Sequence, residues 1–200
     1  EIYSPGTVHG SLLPEMAAKM GVPAGIPVAI GSNDVATAQM GAKNMTSGKI
    51  MNTAGSSEMV SILTDTPKVN PHYYLRNAAL PGLWQIYSTT AGGFAVDWFY
   101  KQFCREMSRK EYYEYIVDAI GKYIDDEEVG FAPFLTGDRQ SLEKKTASWT
   151  GLTLAATRDQ MLAAMLKSMQ NVLYTTIQEA REVVELDHVI KISGGMVTDS

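Results

Sequence analysis

The chain has 200 residues, of which 45% are hydrophobic and 20% charged, and this composition is typical of a folded protein with one sizeable core or two small ones. The formal net charge is -5 at pH 7 and no run of Lys or Arg occurs, which argues against nucleic-acid binding because that binding requires a concentrated basic face. No stretch approaches the ~20 apolar residues of a membrane span, and the N-terminus lacks the basic and apolar segments of a signal peptide. We therefore expect neither a nucleic-acid partner nor a membrane partner.

The cysteine and histidine content argues against disulfide and metal sites. Cys104 is the only cysteine and cannot form an internal disulfide, and the histidines are scattered without the spacing of a metal site. We expect no metal-ligating residues, and a cytoplasmic location fits this cysteine content best. The chain begins at Glu1 without a methionine and stops soon after a glycine pair, so we expect a piece of a longer protein.

The first part of the chain predicts a strand, a tight turn and a helix. Residues 27–31 form a short apolar run ending in glycine, which is typical of a buried strand, and the small residues 35–41 favour a helix. Further strand candidates follow, separated by turn residues, and together they predict a small sheet of hairpins. They cover residues 49–53, 59–63, 73–78 and 84–88.

The rest of the chain predicts helices that cover this sheet. They span residues 94–104, 111–123 and 158 to about 186, and a capping box precedes each of the last two, at Ser108 with Glu111 and at Thr157 with Gln160. The longest one carries methionines at three- and four-residue spacing, a pattern that favours core packing. A β-type run over 188–192 then leads into a glycine pair, and the alternation of strand and helix signals indicates an α/β or α+β fold.

Asp34 is the first candidate for chemistry. It lies just beyond the carboxyl end of a predicted strand, which is where open α/β sheets place their ligands. From the residues alone, a plain helix N-cap is the more common role for an Asp in this position. Both roles stay open, because a capping Asp can also face a ligand.

Small-residue turns are the second set of candidates. The turn Ala54-Gly55-Ser56-Ser57 joins two predicted strands and could present backbone N–H groups and hydroxyls to phosphate oxygens, or it could be a plain hairpin turn. Gly93 opens a predicted helix, whose N-terminus favours anions or merely caps the chain. Gly194-Gly195 follows a strand and permits either the close approach of a flat ring or a simple change of direction.

The order of these segments resembles the FGGY carbohydrate kinase family over nearly all the chain. Residues 25–34 resemble the family's apolar strand, glycine turn and catalytic base, and residues 52–57 its second phosphate-contacting turn. Residues 131–139 resemble its aromatic-proline and Gly-Glu-Arg stretch, residues 147–152 its signature before the long helix, and residues 193–196 its adenosine-contacting glycine turn.

The resemblance implies the α/β fold shared with actin, hexokinase and the Hsp70 ATPase. In this fold, two lobes flank a cleft, and each lobe is a ribonuclease-H-like mixed sheet with flanking helices. Residues 1–48 would end the first, sugar-side lobe, and residues 49–200 would form the second, nucleotide-binding lobe, truncated at its C-terminal end. The chain would be a fragment of a two-lobed kinase and inactive on its own.

The resemblance also implies the reaction and its residues. The protein would transfer the γ-phosphoryl group of ATP, with Mg²⁺, to a hydroxyl of a sugar, with a pentulose such as xylulose as the first candidate. Its partners would be the sugar and ATP, and a homodimer stays open. Asp34 would be the catalytic base. The residues implied for nucleotide binding are Gly55, Ser56, Ser57, Gly93, Gly194, Gly195 and Met196.

Some positions depart from the family pattern and keep two other functions open. Ser56 stands where Thr is usual, and Glu58 would place an acidic group close to the phosphates. A catalytically silent nucleotide-binding or interaction module of the actin-like superfamily would tolerate these changes. A metabolite-binding α/β domain unrelated to ATP is the third alternative.

Overall fold

The computed structural model describes residues 1–138 and 143–197 as a mixed α/β structure. Its first part is a small antiparallel sheet of β1 (Val8–Ser11) and β2 (Pro27–Ala29), with helix α1 (Pro14–Met20) between the two strands. All three residues of β2 are exposed. The predicted strand is therefore confirmed, but its predicted burial is wrong, because within the described residues β2 pairs with β1 alone.

A sheet of five strands forms the main body, in the order β5-β6-β4-β3-β9. Strands β3 to β6 run antiparallel to their neighbours, whereas β9 pairs with β3 in parallel, so the sheet is mixed as the resemblance implied. The five strands are β3 (Ile50–Ala54), β4 (Glu58–Thr64), β5 (Tyr74–Asn77), β6 (Trp84–Thr90) and β9 (Ile190–Ser193).

Four helices cover or flank this sheet, and the two predicted capping boxes are confirmed in two of them. The long helix ends at Arg181 rather than near residue 186, because the chain turns there toward β9. The helices are α2 (Asp34–Gly41), α3 (Gly93–Phe103), α4 (Arg109–Tyr123) and α5 (Arg158–Arg181). A short antiparallel pair, β7 (Gly130–Ala132) and β8 (Ser148–Thr150), lies between α4 and α5 along the chain. None of the helices in the described ranges is long and apolar enough to cross a membrane.

Helix α5 joins two hydrophobic clusters. Its first half, with Met165 and Met169 buried, packs with α3 and α4, and its second half packs on the sheet through Leu173. Period-2 alternation along the strands explains this second contact, because Val60 and Ile62 of β4 point to the α5 face. The methionine stripe is core packing, as its spacing predicted.

The opposite face of the sheet carries α2. The buried side chain of Gln39 donates to the Ser61 hydroxyl at 3.1 Å and accepts from Gln85 Nε2 at 3.0 Å. These bonds fix α2 on strands β4 and β6, because each buried polar group in the set would otherwise lose a partner. Asp34, the first residue of α2, is thereby held over the same face.

Candidate functional site

Asp34 occupies the first helical position of α2 and is not its N-cap. The cap is Asn33, whose Oδ1 accepts a hydrogen bond of 2.9 Å from the Ala36 amide. The Asp34 side chain is exposed, and its Oδ1 accepts from the Val35 amide at 2.8 Å. The capping role is therefore wrong for Asp34, and its second carboxylate oxygen has no hydrogen-bond partner within residues 1–138 and 143–197. Asn33 caps α2, so the Asp34 side chain is not needed to begin the helix.

The predicted phosphate turn is a tight three-residue loop between β3 and β4. Ala54 pairs with Glu58 across the hairpin, and the Gly55 amide donates to the Ser57 carbonyl at 3.1 Å. Ser56 at the tip is exposed. The loop therefore projects from the end of the sheet with its hydroxyl residues at or near the surface.

Three predicted small-residue turns meet at this loop. The amides of Gly93 and Phe94 at the start of α3 donate to the carbonyls of Gly55 and Ser56 at 3.0 and 2.8 Å. From the other side, the Met196 amide donates to the Ala54 carbonyl at 3.0 Å. Residues about 140 positions apart along the chain are thus joined by backbone hydrogen bonds.

Glycine is required at two of these contacts. A Cβ on Gly194, where φ is +127°, would lie 2.3 Å from the Ala54 carbonyl oxygen, and a Cβ on Gly93 would lie 2.9 Å from the Gly55 carbonyl oxygen. Both distances are shorter than side chains tolerate, and the opposing atoms belong to the backbone. The three turns can approach this closely only because these positions lack side chains.

The same contacts change what the α3 terminus can offer. Its first two amides already donate to the loop, so they hold the phosphate turn in place. The partial positive charge of the helix terminus remains, because it sums over the whole helix. Gly93 would therefore not bind an anion through its own N–H group, which is already bonded to the loop. It would instead let an anion approach the positive end of α3 closely, because it has no side chain.

The Glu58 side chain points to the α5 face of the sheet, and its Cβ lies 3.0 Å from the position that a Cβ on Gly92 would take at the start of α3. Its buried carboxylate accepts from Asn52 Nδ2 and from Gln170 Nε2 of α5, each at 2.8 Å. Alternation along β4 places Glu58 on the α5 face and Met59 on the α2 face. The Glu58 carboxylate is therefore on the opposite face of the sheet from the Asp34 cavity described below.

One cavity of about 680 Å³ brings Asp34 and the phosphate turn together. Asp34 and Val35 of α2 line one wall, and Thr53 of β3 and Ser57 of the turn line another. The turns at Gly93 and Gly194 adjoin Ser57 through the loop but do not line this cavity. The geometry thus allows an acceptor beside Asp34 and a phosphate chain beside Ser57.

The cavity also contains residues that the sequence argument missed. They are Met59, Tyr74, Arg76, Tyr87 and Thr89, all on the α2 face of the sheet. The sequence pattern that could have indicated them is the alternation of side-chain direction along β5 and β6, which places Tyr74 and Arg76 on one face. The Arg76 guanidinium stacks on the Tyr87 ring, 4.5 Å from its centroid, and Arg76 Nε donates to Gln85 Oε1 at 2.6 Å.

The aromatic-proline stretch lies on the other face. Phe131 packs in the core against Trp149, with their ring centroids 4.8 Å apart, and Asp138 pairs with Lys145 at 2.7 Å. Arg139 of the same motif lies outside the described residues. Pro133 and Asp138 line a small cavity of about 50 Å³ beside Thr90 at the end of β6.

A comparison with known proteins finds a similar sequence. The chain is 27% identical to the xylulose kinase of Bacillus subtilis over 198 residues, which cover 96% of the chain and 39% of that protein. The resemblance to the FGGY carbohydrate kinases is confirmed. No family model matches the chain.

Solved FGGY kinases share the fold. The gluconate kinase of Lactobacillus acidophilus superposes with a TM-score of 0.81 at 18% identity, over 100% of this chain and 41% of that one. The xylulose kinase of Rhodospirillum rubrum superposes with a TM-score of 0.76 at 21% identity, over 90% of this chain and 37% of that one. The chain therefore spans about two fifths of the length of these FGGY relatives.

The site fits the groups that such kinases use. Thr53 and Ser57 carry hydroxyl groups into the cavity, and Thr53 Oγ1 is buried without a hydrogen-bond partner in the described residues, which suits a phosphate oxygen. Among the described residues, no group of three or more His, Cys, Asp or Glu could hold a metal ion. Mg²⁺ keeps several of its waters and is commonly bound through substrate phosphates, so the phosphates and water would hold it without a dedicated protein site.

Proposed function

We propose that the protein carrying this chain is an ATP-dependent sugar kinase in which Asp34 is the catalytic base. The observation that supports this most is the shared cavity, whose lining includes both Asp34 and Ser57 of the phosphate turn. The turns at Gly93 and Gly194 join the same loop from two sides. A pentulose such as xylulose is the first acceptor to test, since the curated relative is a xylulose kinase.

The roles of the residues follow from their positions. When bound, Mg-ATP would supply the phosphoryl group and the charge neutralisation. Asp34 would orient the acceptor hydroxyl and take its proton as the new O–P bond forms and the bond to the ADP oxygen breaks. Ser56 and Ser57 would donate to the β- and γ-phosphates, and Gly194, Gly195 and Met196 would contact the adenosine.

The division into a sugar-side lobe over residues 1–48 and a nucleotide-binding lobe over residues 49–200 belongs to the same proposal. Lobe closure over the cavity would exclude water and limit the wasteful hydrolysis of ATP. The isolated chain would bind nucleotide without phosphorylating a sugar, because most of the sugar-side lobe would be missing.

Replacing Asp34 with Asn in the complete protein tests the assignment. The amide keeps the shape of the side chain and cannot accept the proton, so sugar-dependent ADP release should fall by about 10²- to 10⁴-fold. ADP affinity, measured by calorimetry, should stay within about twofold, since Asp34 contacts the acceptor. Asp118→Asn, on the exposed side of α4, is the matched control and should leave both quantities unchanged. Near-normal turnover in Asp34→Asn would refute the assignment.

The same measurements distinguish the silent nucleotide-binding module. That alternative depended on the departures at Ser56 and Glu58, and the Glu58 carboxylate bonds to Asn52 and Gln170. ATP binding by the wild-type protein without turnover on any sugar would nevertheless support the silent module. A protein that bound no nucleotide would support the unrelated metabolite-binding domain.

A further inference from the structure

The Asp34 cavity contains a second charged group, Arg76, which has no role in the reaction proposed above. Among the described residues that line the cavity, Asp34 and Arg76 are the charged ones. Arg76 lies on β5, at the far side of the cavity from the phosphate turn, since its strand is the outermost of the sheet. The cavity therefore has two chemically different ends.

The strand register shows how the two ends are separated. Thr89 of β6 pairs with Met59 next to the turn, whereas Tyr87 pairs with Tyr74, two residues further along β6. Two residues of a strand span roughly 7 Å. The Arg76 guanidinium lies over the ring of Tyr87, whose backbone is about this far along β6 from the turn end of the cavity. An elongated acceptor with its reacting hydroxyl at Asp34 would extend toward Arg76.

Arg76 is held in place before any ligand arrives. Its Nε donates to Gln85, Gln85 donates to Gln39 of α2, and both glutamines are buried. The stacking on Tyr87 restricts the guanidinium plane. A prepositioned arginine binds an oxyanion with little further loss of side-chain entropy.

Unmatched hydrogen-bonding atoms mark both ends of the cavity. Arg76 Nη2 and Thr53 Oγ1 are buried without a hydrogen-bond partner in residues 1–138 and 143–197, and both residues line this cavity. A buried unmatched donor lowers stability, and a ligand oxygen that accepts from it would remove this cost. Thr53 lies at the phosphate end and Arg76 at the distal end.

We propose that Arg76 is a specificity-determining residue that binds an oxyanion at the distal end of the acceptor. The inference rests on the proposed kinase function and narrows its acceptor class. The oxyanion is either the carboxylate of a sugar acid or a phosphate ester that the acceptor already carries, because a guanidinium recognises both with paired N–H donors. A neutral pentulose would leave Arg76 without this contact.

Direct binding to the complete protein tests the inference independently of turnover. Gluconate, glucose 6-phosphate and xylulose are titrated by calorimetry into the wild type and into Arg76→Gln. We expect the wild type to bind one of the two anionic compounds more tightly than xylulose, and Arg76→Gln to weaken that binding by about 10- to 100-fold, as loss of a charged hydrogen bond does. Gluconate as the affected ligand identifies a carboxylate, and glucose 6-phosphate identifies a phosphate.

Two further variants separate recognition from folding. Arg76→Lys keeps the charge and loses the fork of donors, so its affinity should lie between those of the wild type and Arg76→Gln. Arg105→Gln removes an exposed arginine outside the cavity and should bind like the wild type. If Arg76→Gln unfolds, Arg76→Lys alone carries the test.

The proposal is overturned if xylulose binds as tightly as both anionic compounds, or if neither Arg76 variant changes the affinity for them by more than about twofold. Failure of the kinase function gives a different result. In that case no acceptor would support ADP release, while the dependence of anion binding on Arg76 would persist.

Discussion

Gly194→Ala is the sharpest test of the contact between the glycine turn and the phosphate turn. The new methyl group would lie 2.3 Å from the carbonyl oxygen and 2.6 Å from the carbonyl carbon of Ala54, the last residue of β3, which is paired with Glu58 of β4. The backbone would also keep a φ of +127°, which L residues rarely adopt. Both effects act at one point, where the Met196 amide bonds to the same Ala54 carbonyl.

The magnitude follows from these two terms. A non-glycine residue in such a backbone conformation costs about 1 to 3 kcal/mol. An extra methyl group in a packed site costs about 1 to 3 kcal/mol more. We therefore expect Gly194→Ala to lower the free energy of unfolding by about 2 to 6 kcal/mol. Where the two turns separate without unfolding of the protein, the same energy is lost from the contact between them.

Thermal unfolding of the complete protein with and without ADP measures the effect. Gly194→Ala should lower the Tm by about 4 °C or more and should reduce the further rise in Tm that ADP produces. Gly195→Ala is the control for stability, because a Cβ there meets no atom within 4 Å. Equal Tm values for the two variants would refute the proposed contact.

Two other substitutions test the buried polar groups behind the site. Gln39→Leu should lower the free energy of unfolding, measured by chemical denaturation, by about 2 to 4 kcal/mol, because Ser61 and Gln85 each lose a buried partner. It should also lower kcat, because α2, which carries Asp34, would be held less firmly on the sheet. Unchanged stability and kcat would contradict this packing. Glu58→Gln should cost about 1 to 3 kcal/mol, because an amide cannot accept from Asn52 and Gln170 as two carboxylate oxygens do. ADP affinity of Glu58→Gln should change little, and a large gain in affinity would show that Glu58 acts on the phosphates after all.

Local signals predicted the elements that depend on local physics. The capping boxes at Ser108 and Thr157 begin α4 and α5 as expected, because side chains three residues apart satisfy the same amides in any surroundings. The hairpin around Gly55 also follows from its turn residues. The helix cap near Asp34 was predicted one residue too late, since both Asn33 and Asp34 are good caps and the local turn geometry decides between them.

Properties that depend on distant neighbours were not predictable from the sequence. The burial of residues 27–31 was predicted from their apolar character, but exposure depends on what packs against β2. The orientation of Glu58 toward α5 could be predicted only by knowing which residues of β4 face α5. Arg76 could be predicted as a site residue only by knowing that β5 is an edge strand of the sheet beside β6. The meeting of the three turns was implied by family resemblance, while their hydrogen bonds came from the structure.

The parallel pairing of β3 with β9 has a consequence for folding during synthesis. The Lys49 and Asp187 side chains at one end of this pairing are partners 138 residues apart in the sequence. The four antiparallel strands can pair as soon as they leave the ribosome, but the glycine turn after β9 reaches Ala54 only once the intervening helices have emerged. Under the proposed function, nucleotide could stabilise the contact between these turns only after synthesis has passed β9, whereas the antiparallel strands can form before that point.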